Sequence, residues 1–555
     1  MKNWLNNLQN GEPWVWFSAA ALVTCVAAVS AVVCLVAFRG LTHFWPADVA
    51  EITLVGGERV IGEIVEVDDL SRASFIENGG SEEILQAGQQ SVTRWLLKTG
   101  NRRIDPPDFR WVFAHEMALI EYPEDIVVIE REAWGNAYGH IVAIELNTSD
   151  PEPTVVKGTS IDSVLLSALV RLDDTRGAIR ELEQGSLNRI SSELEALRLE
   201  LRRQELSHDG PELTAVANIA AQERVLLTAY REQEQILSGL LSSLTGTALV
   251  INTHSKQWHQ DMSEVLRVQW PNRMSFPGKF RAWLGNVWRF LSDNPREANT
   301  EGGVFPAIFG TVLMVLLMSV FVAPIGIITA IYLHEYAQQG PLVRTLRIAV
   351  GNLAGVPSIV YGVFGLGFFV YVLGGNLDTL FFPEALPAPT FGTPGLIWAS
   401  LTLALLTLPV VIVSTEEGLT RIPQSLREGS LALGATRAET LFRVVLPMAT
   451  PAMLTGIILA VARAAGEVAP LMLVGVVKLA PQLPIDGEFP FLHLDRKFMH
   501  LGFHIYDVGF QSANIEAARP LVYATALLLI TIVIGLNLSA IALRNRLERS
   551  YNTFE

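Results

Sequence analysis

The sequence predicts an all-α polytopic membrane protein that carries one large soluble α+β insertion. Half of its 555 residues are hydrophobic and only 17% are charged, against about 25% in soluble domains. Apolar runs at 14–38, 305–333, 347–374, 395–414, 451–475 and 520–543 are each about long enough to cross a bilayer. Roughly forty of the 56 acidic residues, with about 26 basic ones, fall between the first and second runs. That block is acidic and soluble, which argues against nucleic acid as a partner, since phosphate backbones need a basic surface.

Residues 1–13 read as a short cytoplasmic lead. The run at 14–38 is too long for a signal-peptide core and is expected to be a retained first span, with Trp14 and Trp16 as interfacial aromatics. Cys25 and Cys34 lie inside it and are expected to be packing residues, so no disulfide framework supports the insertion.

The insertion is placed at 39–275. Apolar and polar residues alternate on both sides of Gly56-Gly57, a hairpin signal, and further strand-like runs predict a mostly-β unit over about 48–165. From Arg171 the period changes. Leu187, Ile190, Leu194, Leu197 and Leu201 step by three and four, Ser207–Pro211 interrupts, and a second helical stretch follows. This predicts an antiparallel helical hairpin at about 171–245, each arm about 50 Å long. Such a hairpin serves either as a spacer for a partner or as a cover for the β unit, and the cover is the simpler reading. Phe276, Phe280, Trp283, Leu284, Val287, Trp288 and Leu291 then share one helical face, so 276–292 reads as an amphipathic helix suited to the membrane interface or to packing under the insertion.

Orientation follows from the short loops. Arg344 and Arg347, then Arg421, Arg427, Arg437 and Arg443, then Arg544, Arg546 and Arg549 follow the even-numbered runs, whereas 375–394 has no Lys or Arg. The positive-inside rule puts these exits, the termini and the tail 546–555 in the cytoplasm. The insertion then lies outside, in the periplasm of a Gram-negative cell. Lys478, Arg496, Lys497 and Arg519 on the other side weaken this asymmetry without reversing it.

Two places are candidate sites. Arg463 and Glu467 stand four apart in the fifth run, so on a helix they share a face and can reach each other. Ionisable residues in a spanning helix are costly and mark function by default. An Arg fork suits a tetrahedral oxyanion, with Glu467 holding the guanidinium or limiting its grip. A salt bridge that only joins helices is the structural alternative. The other place is the polar stretch 428–447 between apolar runs, within a loop at about 415–450. It reads as a short amphipathic helix, Gly434, and a helical segment ending at a Leu446-Pro447 stop. Asn352, Gly355, Pro357, Ser358 and Gly362 either break or loosen the third run or, the simpler reading for each of them, let helices pack closely. His500 and His504, near His493, Asp495 and Asp507, are only loosely metal-like, and His254 with His259 less so. No G-x-x-x-x-G-K-[ST], G-x-S-x-G or H-E-x-x-H occurs, so no enzymatic activity is expected of this chain by itself.

The spacing Glu428, Gly429-Ser430 (where Ala-Ala is usual), Gly434, Val444, Leu446-Pro447 resembles the EAA loop of ABC-importer membrane subunits. The segments GGVFPAIFGT (302–311), PIGIITAIYLHEYA (324–337), NLAGVPSIVYGVFGLGFFV (352–370) and ARAAGEVAPL (462–471) resemble, in order, the PstA permeases of bacterial phosphate-specific ABC importers. The AGE-x-APL pattern favours PstA over its paired permease PstC, and Val468 stands where the family usually has Thr. The resemblance implies a type I importer (MetI-like) core at 302–545. It further implies a PstC-like heterodimer partner, a PstB-like ATPase dimer that binds the ATP and Mg, a PstS-like binding protein, and inorganic phosphate as cargo. It makes Arg463 and Glu467 pathway residues, and Glu428, Gly434, Ala435, Arg437, Leu446 and Pro447 the surface that couples to the ATPase. The expected location is the bacterial inner membrane, in contact with lipid, with no cofactor on this chain. A permease for molybdate or sulfate, and a transporter-like signalling scaffold, are the competing expectations. The long insertion is not explained by the resemblance.

Overall fold

The computed structural model describes residues 12–77, 90–101, 103–104, 108–146, 154–158, 161–206, 212–244, 247–253, 256–512 and 515–552. The chain divides into two units, one of residues 1–44 and 290–555 and one of residues 45–289.

Among the described residues of the first unit, six helices are long and apolar enough to cross a membrane: Trp14–Thr42, Phe305–Tyr336, Ser358–Phe381, Leu396–Thr420, Arg437–Gly466 and Ala518–Arg546. The fourth is the most buried. It packs between the second and fifth, where Met314, Met318 and Val322 meet Leu396, Leu403 and Val411, and Ala460, Ala464 and Ala465 close the cluster. The first span packs along the sixth and buries little of itself within this chain. Cys25 and Cys34, expected to be packing residues, are therefore exposed.

Three boundaries differ from the sequence reading. The third span begins at Ser358, because Pro357 breaks the chain into a separate amphipathic helix, Pro341–Leu353, and a turn at 354–357. The fifth begins at Arg437, ten residues before Pro447, and ends at Gly466. Leu446-Pro447 is not a stop. The preceding turn, Leu441–Val445, is a π-helix in which the Leu446 N–H reaches Leu441 O, and this wider turn relieves the clash that a proline ring makes with the carbonyl four residues back. The last helix runs on to Asn552, so the described part of the expected tail is helical.

The second unit holds two antiparallel sheets. The strands are β1 (Val49–Leu54), β2 (Arg59–Ser71), β3 (Ser91–Lys98), β4 (Phe109–Phe113), β5 (Met117–Glu121), β6 (Ile126–Arg131), β7 (Ala137–Leu146), β8 (Thr154–Val156), β9 (Thr247–Thr253), β10 (Lys256–Asp261) and β11 (Val265–Gln269). The first sheet has the order β4-β3-β2-β1-β5 and contains the hairpin around Gly56-Gly57. The second has the order β10-β9-β7-β6-β11, with β8 on β7. The mostly-β unit thus does not end near 165, because β9 to β11 return after the helices to complete the second sheet. Arg131 is fully buried there, and its guanidinium donates to the carbonyls of Gly135 (2.8 Å) and Trp134 (2.6 Å), which keeps the charge hydrogen-bonded.

The helical part starts at Ile161, ten residues earlier than expected. Its first arm runs through a π-turn at Leu182–Leu187 to Leu206, about 70 Å at 1.5 Å per residue, and the second arm is Leu213–Leu244. The expected break at Ser207–Pro211 lies outside the described residues. At the base, Ile161, Leu165, Ala168 and Leu172 join the core of the second sheet, each large aliphatic contributing about 1.5–3 kcal/mol. Farther along, Leu197, Leu201 and Leu226 are only half-buried between the arms. The base covers the sheet, and the remainder packs arm against arm.

Candidate functional site

The fifth span positions the first candidate pair. Its buried alanines, Ala460, Ala464 and Ala465, turn one face into the helical core. The helix stops at Gly466, and Glu467 follows in extended conformation (φ −82°, ψ 129°), its N–H donating to Ala464 O. Glu467 therefore caps the helix instead of lying within it. Arg463 Nε is still 3.5 Å from Glu467 Oε1, and their side chains are 36% and 22% exposed. Neither charge is sealed in the core of this chain, and both keep accessible surface.

The loosened third run supports the same region. Gly355 N–H donates to Asn352 O in the turn before Pro357, and the Tyr361 hydroxyl donates to Leu353 O (2.6 Å) across the break. Gly362 is needed for close approach, because a Cβ there would lie 2.7 Å from Pro470 Cα, three residues beyond Glu467.

The second candidate is the connection between the fourth and fifth spans. The helix Gln424–Ala432 ends in a Schellman turn, with Ala435 N–H to Ser430 O and Gly434 N–H to Leu431 O. Gly434 has φ +89°, a value that favours glycine, although nothing lies within 4 Å of where its Cβ would be. Thr436 then opens the next helix by a capping box with Glu439. Glu428, Gly434 and Arg437 are exposed, Ala435 is half-buried, and Leu446 and Pro447 are half-buried. Leu446 packs with Leu419, Ile422, Leu441, Val445 and Ala449. Leu433, 91% exposed, with Leu431 and Phe442 adds apolar surface beside the motif residues.

Sequence reasoning missed the anchors of this connection. Arg427 Nη1 lies 3.1 Å from Glu335 Oε1, and its Nη2 donates to Leu419 O (2.8 Å). His334 Nδ1 is 3.0 Å from the same Glu335 oxygen. Arg347 pairs with Glu416 at 3.2 Å and donates to Leu333 O. The signal was present in the polar LHEY at the end of an apolar span.

The His and Asp residues near 500 fall into two groups. His493 and Arg496 both bond Asp486, at 2.9 and 2.5 Å. Burial alone would raise the Asp486 carboxyl, but hydrogen bonds from Arg496, the Glu488 N–H and His493 hold it below its ordinary value. His500, His504 and Asp507 are buried elsewhere, where Asn299 donates to Asp507 Oδ2 (3.1 Å) and Lys478 lies 3.1 Å from the same oxygen. Among the described residues no group of three or more His, Cys, Asp or Glu side chains is arranged to hold a metal. His259 pairs with Glu145 at 3.3 Å, and His254 lies outside the described residues.

The family described as the binding-protein-dependent transport system inner membrane component matches residues 322–553. The chain is 38% identical over 245 residues to the phosphate transport system permease protein PstA of Mycobacterium leprae, covering 44% of this chain and 71% of that one. It is 32% identical over 251 residues to the PstA of Yersinia pestis, covering 45% and 75%. It is 32% identical over 206 residues to the phosphate transport system permease protein PstC of Mesorhizobium japonicum, covering 35% and 61%. The six-span unit thus belongs to the multi-pass permease components of binding-protein-dependent ABC transporters. Within that family the chain is a PstA-like permease.

Burial pushes the imidazoles of His500 and His504 down to about 4; for His504 the Asp507 charge opposes this and Lys478 adds to it. Both stay neutral in the folded chain at pH values where an unfolded chain protonates them, near 6.5. Their contribution to stability is therefore complete above pH 6.5 and lost as pH falls toward about 4. Thermal unfolding of the purified chain is expected to show a midpoint that drops between pH 7 and pH 4.5, with a smaller drop in His504→Gln. An unchanged pH response in that variant would contradict the assignment.

Proposed function

We propose that this chain is the membrane subunit of an ATP-driven importer of inorganic phosphate. The observation that carries the reading is the Arg463–Glu467 pair, 3.5 Å apart and accessible at the end of the fifth span in a PstA-like chain. Arg463 Nε is the atom nearest Glu467, which leaves both terminal nitrogens for two parallel hydrogen bonds to a tetrahedral oxyanion. Glu467 keeps the fork oriented, and its negative charge shortens the residence of the anion, as passage requires.

The partners in this reading are a PstC-like permease completing the path, a PstB-like ATPase dimer holding ATP and Mg, and a PstS-like phosphate-binding protein. The inner membrane is the location, with the connection at 421–436 in the cytoplasm and the insertion in the periplasm. Closure of the ATPases pushes the surface around Glu428, Gly434 and Arg437. The Arg427–Glu335 ion pair and the apolar contacts of Leu446 and Leu441 pass that displacement to the second and fourth spans, a rigid-body switch between two accesses.

Arg463→Ala is expected to lower labelled-phosphate uptake about 10- to 100-fold, the size of losing one charged hydrogen-bonding group, while the complex still co-purifies. Arg463→Lys should recover only part, because it keeps the charge without the fork. Normal uptake by the alanine variant would remove Arg463 from the mechanism. Gly434→Val puts a β-branched residue at φ +89°, so the ATPase should bind less tightly and turn over without driving uptake. Unchanged co-purification and coupled turnover would count against the docking role.

A further inference from the structure

The amphipathic helix Phe276–Ser292 takes no part in the transport reading, and its structure is informative. Phe276, Phe280, Leu284 and Trp288 recur every fourth residue and are 73%, 46%, 50% and 69% exposed. They form an apolar stripe about 18 Å long at 1.5 Å per residue. Arg267, Arg281 and Arg289 gather beside it around a concave patch of about 490 Å³ that Trp288 also lines. Asn286 is held between two of them, accepting from Arg267 (3.0 Å) and Arg289, so the guanidiniums are spaced by a fixed side chain.

The helix ends at residues that belong to the six-span unit. Phe290 is buried against Phe44, two residues after the first span ends, with ring centroids 5.0 Å apart. Its carbonyl accepts the Val304 N–H (2.8 Å), one residue before the second span begins at Phe305. Phe290, which belongs to the six-span unit, thus lies at the ends of two spans. An exposed stripe of Phe, Leu and Trp flanked by arginine, on a helix that leads into that residue, matches the chemistry of a lipid headgroup region.

We infer that Phe276–Ser292 lies in the outer surface of the bilayer, with its aromatic stripe among the upper acyl chains and Arg281 and Arg289 on anionic phosphodiester headgroups. The helix then fixes the height of the chain segment that enters the second span. This inference does not depend on what the permease carries.

The test uses the full chain in lipid nanodiscs, with Cys25→Ala and Cys34→Ala as the parent. Leu284→Cys and, separately, Trp288→Cys receive an environment-sensitive fluorophore. A nitroxide on the upper acyl chain should quench both labels, consistent with a depth of about 5–10 Å, while aqueous iodide should not. Quenching by iodide alone would overturn the placement. With the nitroxide moved to the headgroup, spin-labelled phosphatidylglycerol should quench more than spin-labelled phosphatidylcholine. Arg281→Gln with Arg289→Gln should bring that ratio toward one, from a local enrichment of about fivefold per arginine. Equal quenching in the parent would overturn the headgroup assignment. Inorganic phosphate at matched ionic strength should leave the ratio unchanged; loss of the preference on its addition would reassign the patch to free phosphate and overturn the lipid reading.

Discussion

A guanidinium in a membrane-spanning helix has to be paired, and this requirement organises the C-terminal end of the fifth span. Arg463 lies in the last turn, and the helix gives way at Gly466 so that Glu467 caps it and comes within 3.5 Å. The arrangement costs the span its regular continuation, and the chain turns at 467–470 toward the third span. There Gly362 admits the backbone of Pro470. Ala460, Ala464 and Ala465 hold the helix against the second and fourth spans. A leucine at any of them would displace the helix and the pair with it, since close-packed cores do not absorb added volume without displacement.

The same economy of charge appears at the other end of the spans. Arg427, Glu335 and His334 form one network, and Arg347 with Glu416 forms another. Isolated surface ion pairs are worth about 0–1 kcal/mol, so these contacts are weak as stabilisers. Their value is positional. They tie the polar connection between the fourth and fifth spans to the end of the second span, and the apolar contacts of Leu441, Val445 and Leu446 stiffen that tie. The second, fourth and fifth spans are thus joined at this end.

Much of this was legible in the sequence because bilayer thickness imposes length and apolarity directly. The first, second, fourth and sixth spans were recognisable for that reason, and the four-residue spacing of Arg463 and Glu467 announced their contact. Two boundaries were misread where proline acts in opposite ways. Pro357 separates two helices within one continuous apolar run, whereas Pro447 sits inside a helix because a π-turn makes room for it. Strands β9 and β11 were missed because their partners β7 and β6 lie about a hundred residues earlier, beyond any local pattern, and β10 was missed with the β9 it pairs with. The ion pairs of Arg427 and Arg347 are equally non-local, and the exposure of Leu433 depends on a turn whose geometry no hydrophobic period records.

The measurement that bears most directly on the central claim is uptake of labelled phosphate into proteoliposomes containing this chain with its three proposed partners. Accumulation is expected to require ATP on the side of the membrane that the ATPase faces, and excess sulfate or molybdate should not displace it. ATP-independent accumulation, or accumulation suppressed equally by those oxyanions, would contradict the claim.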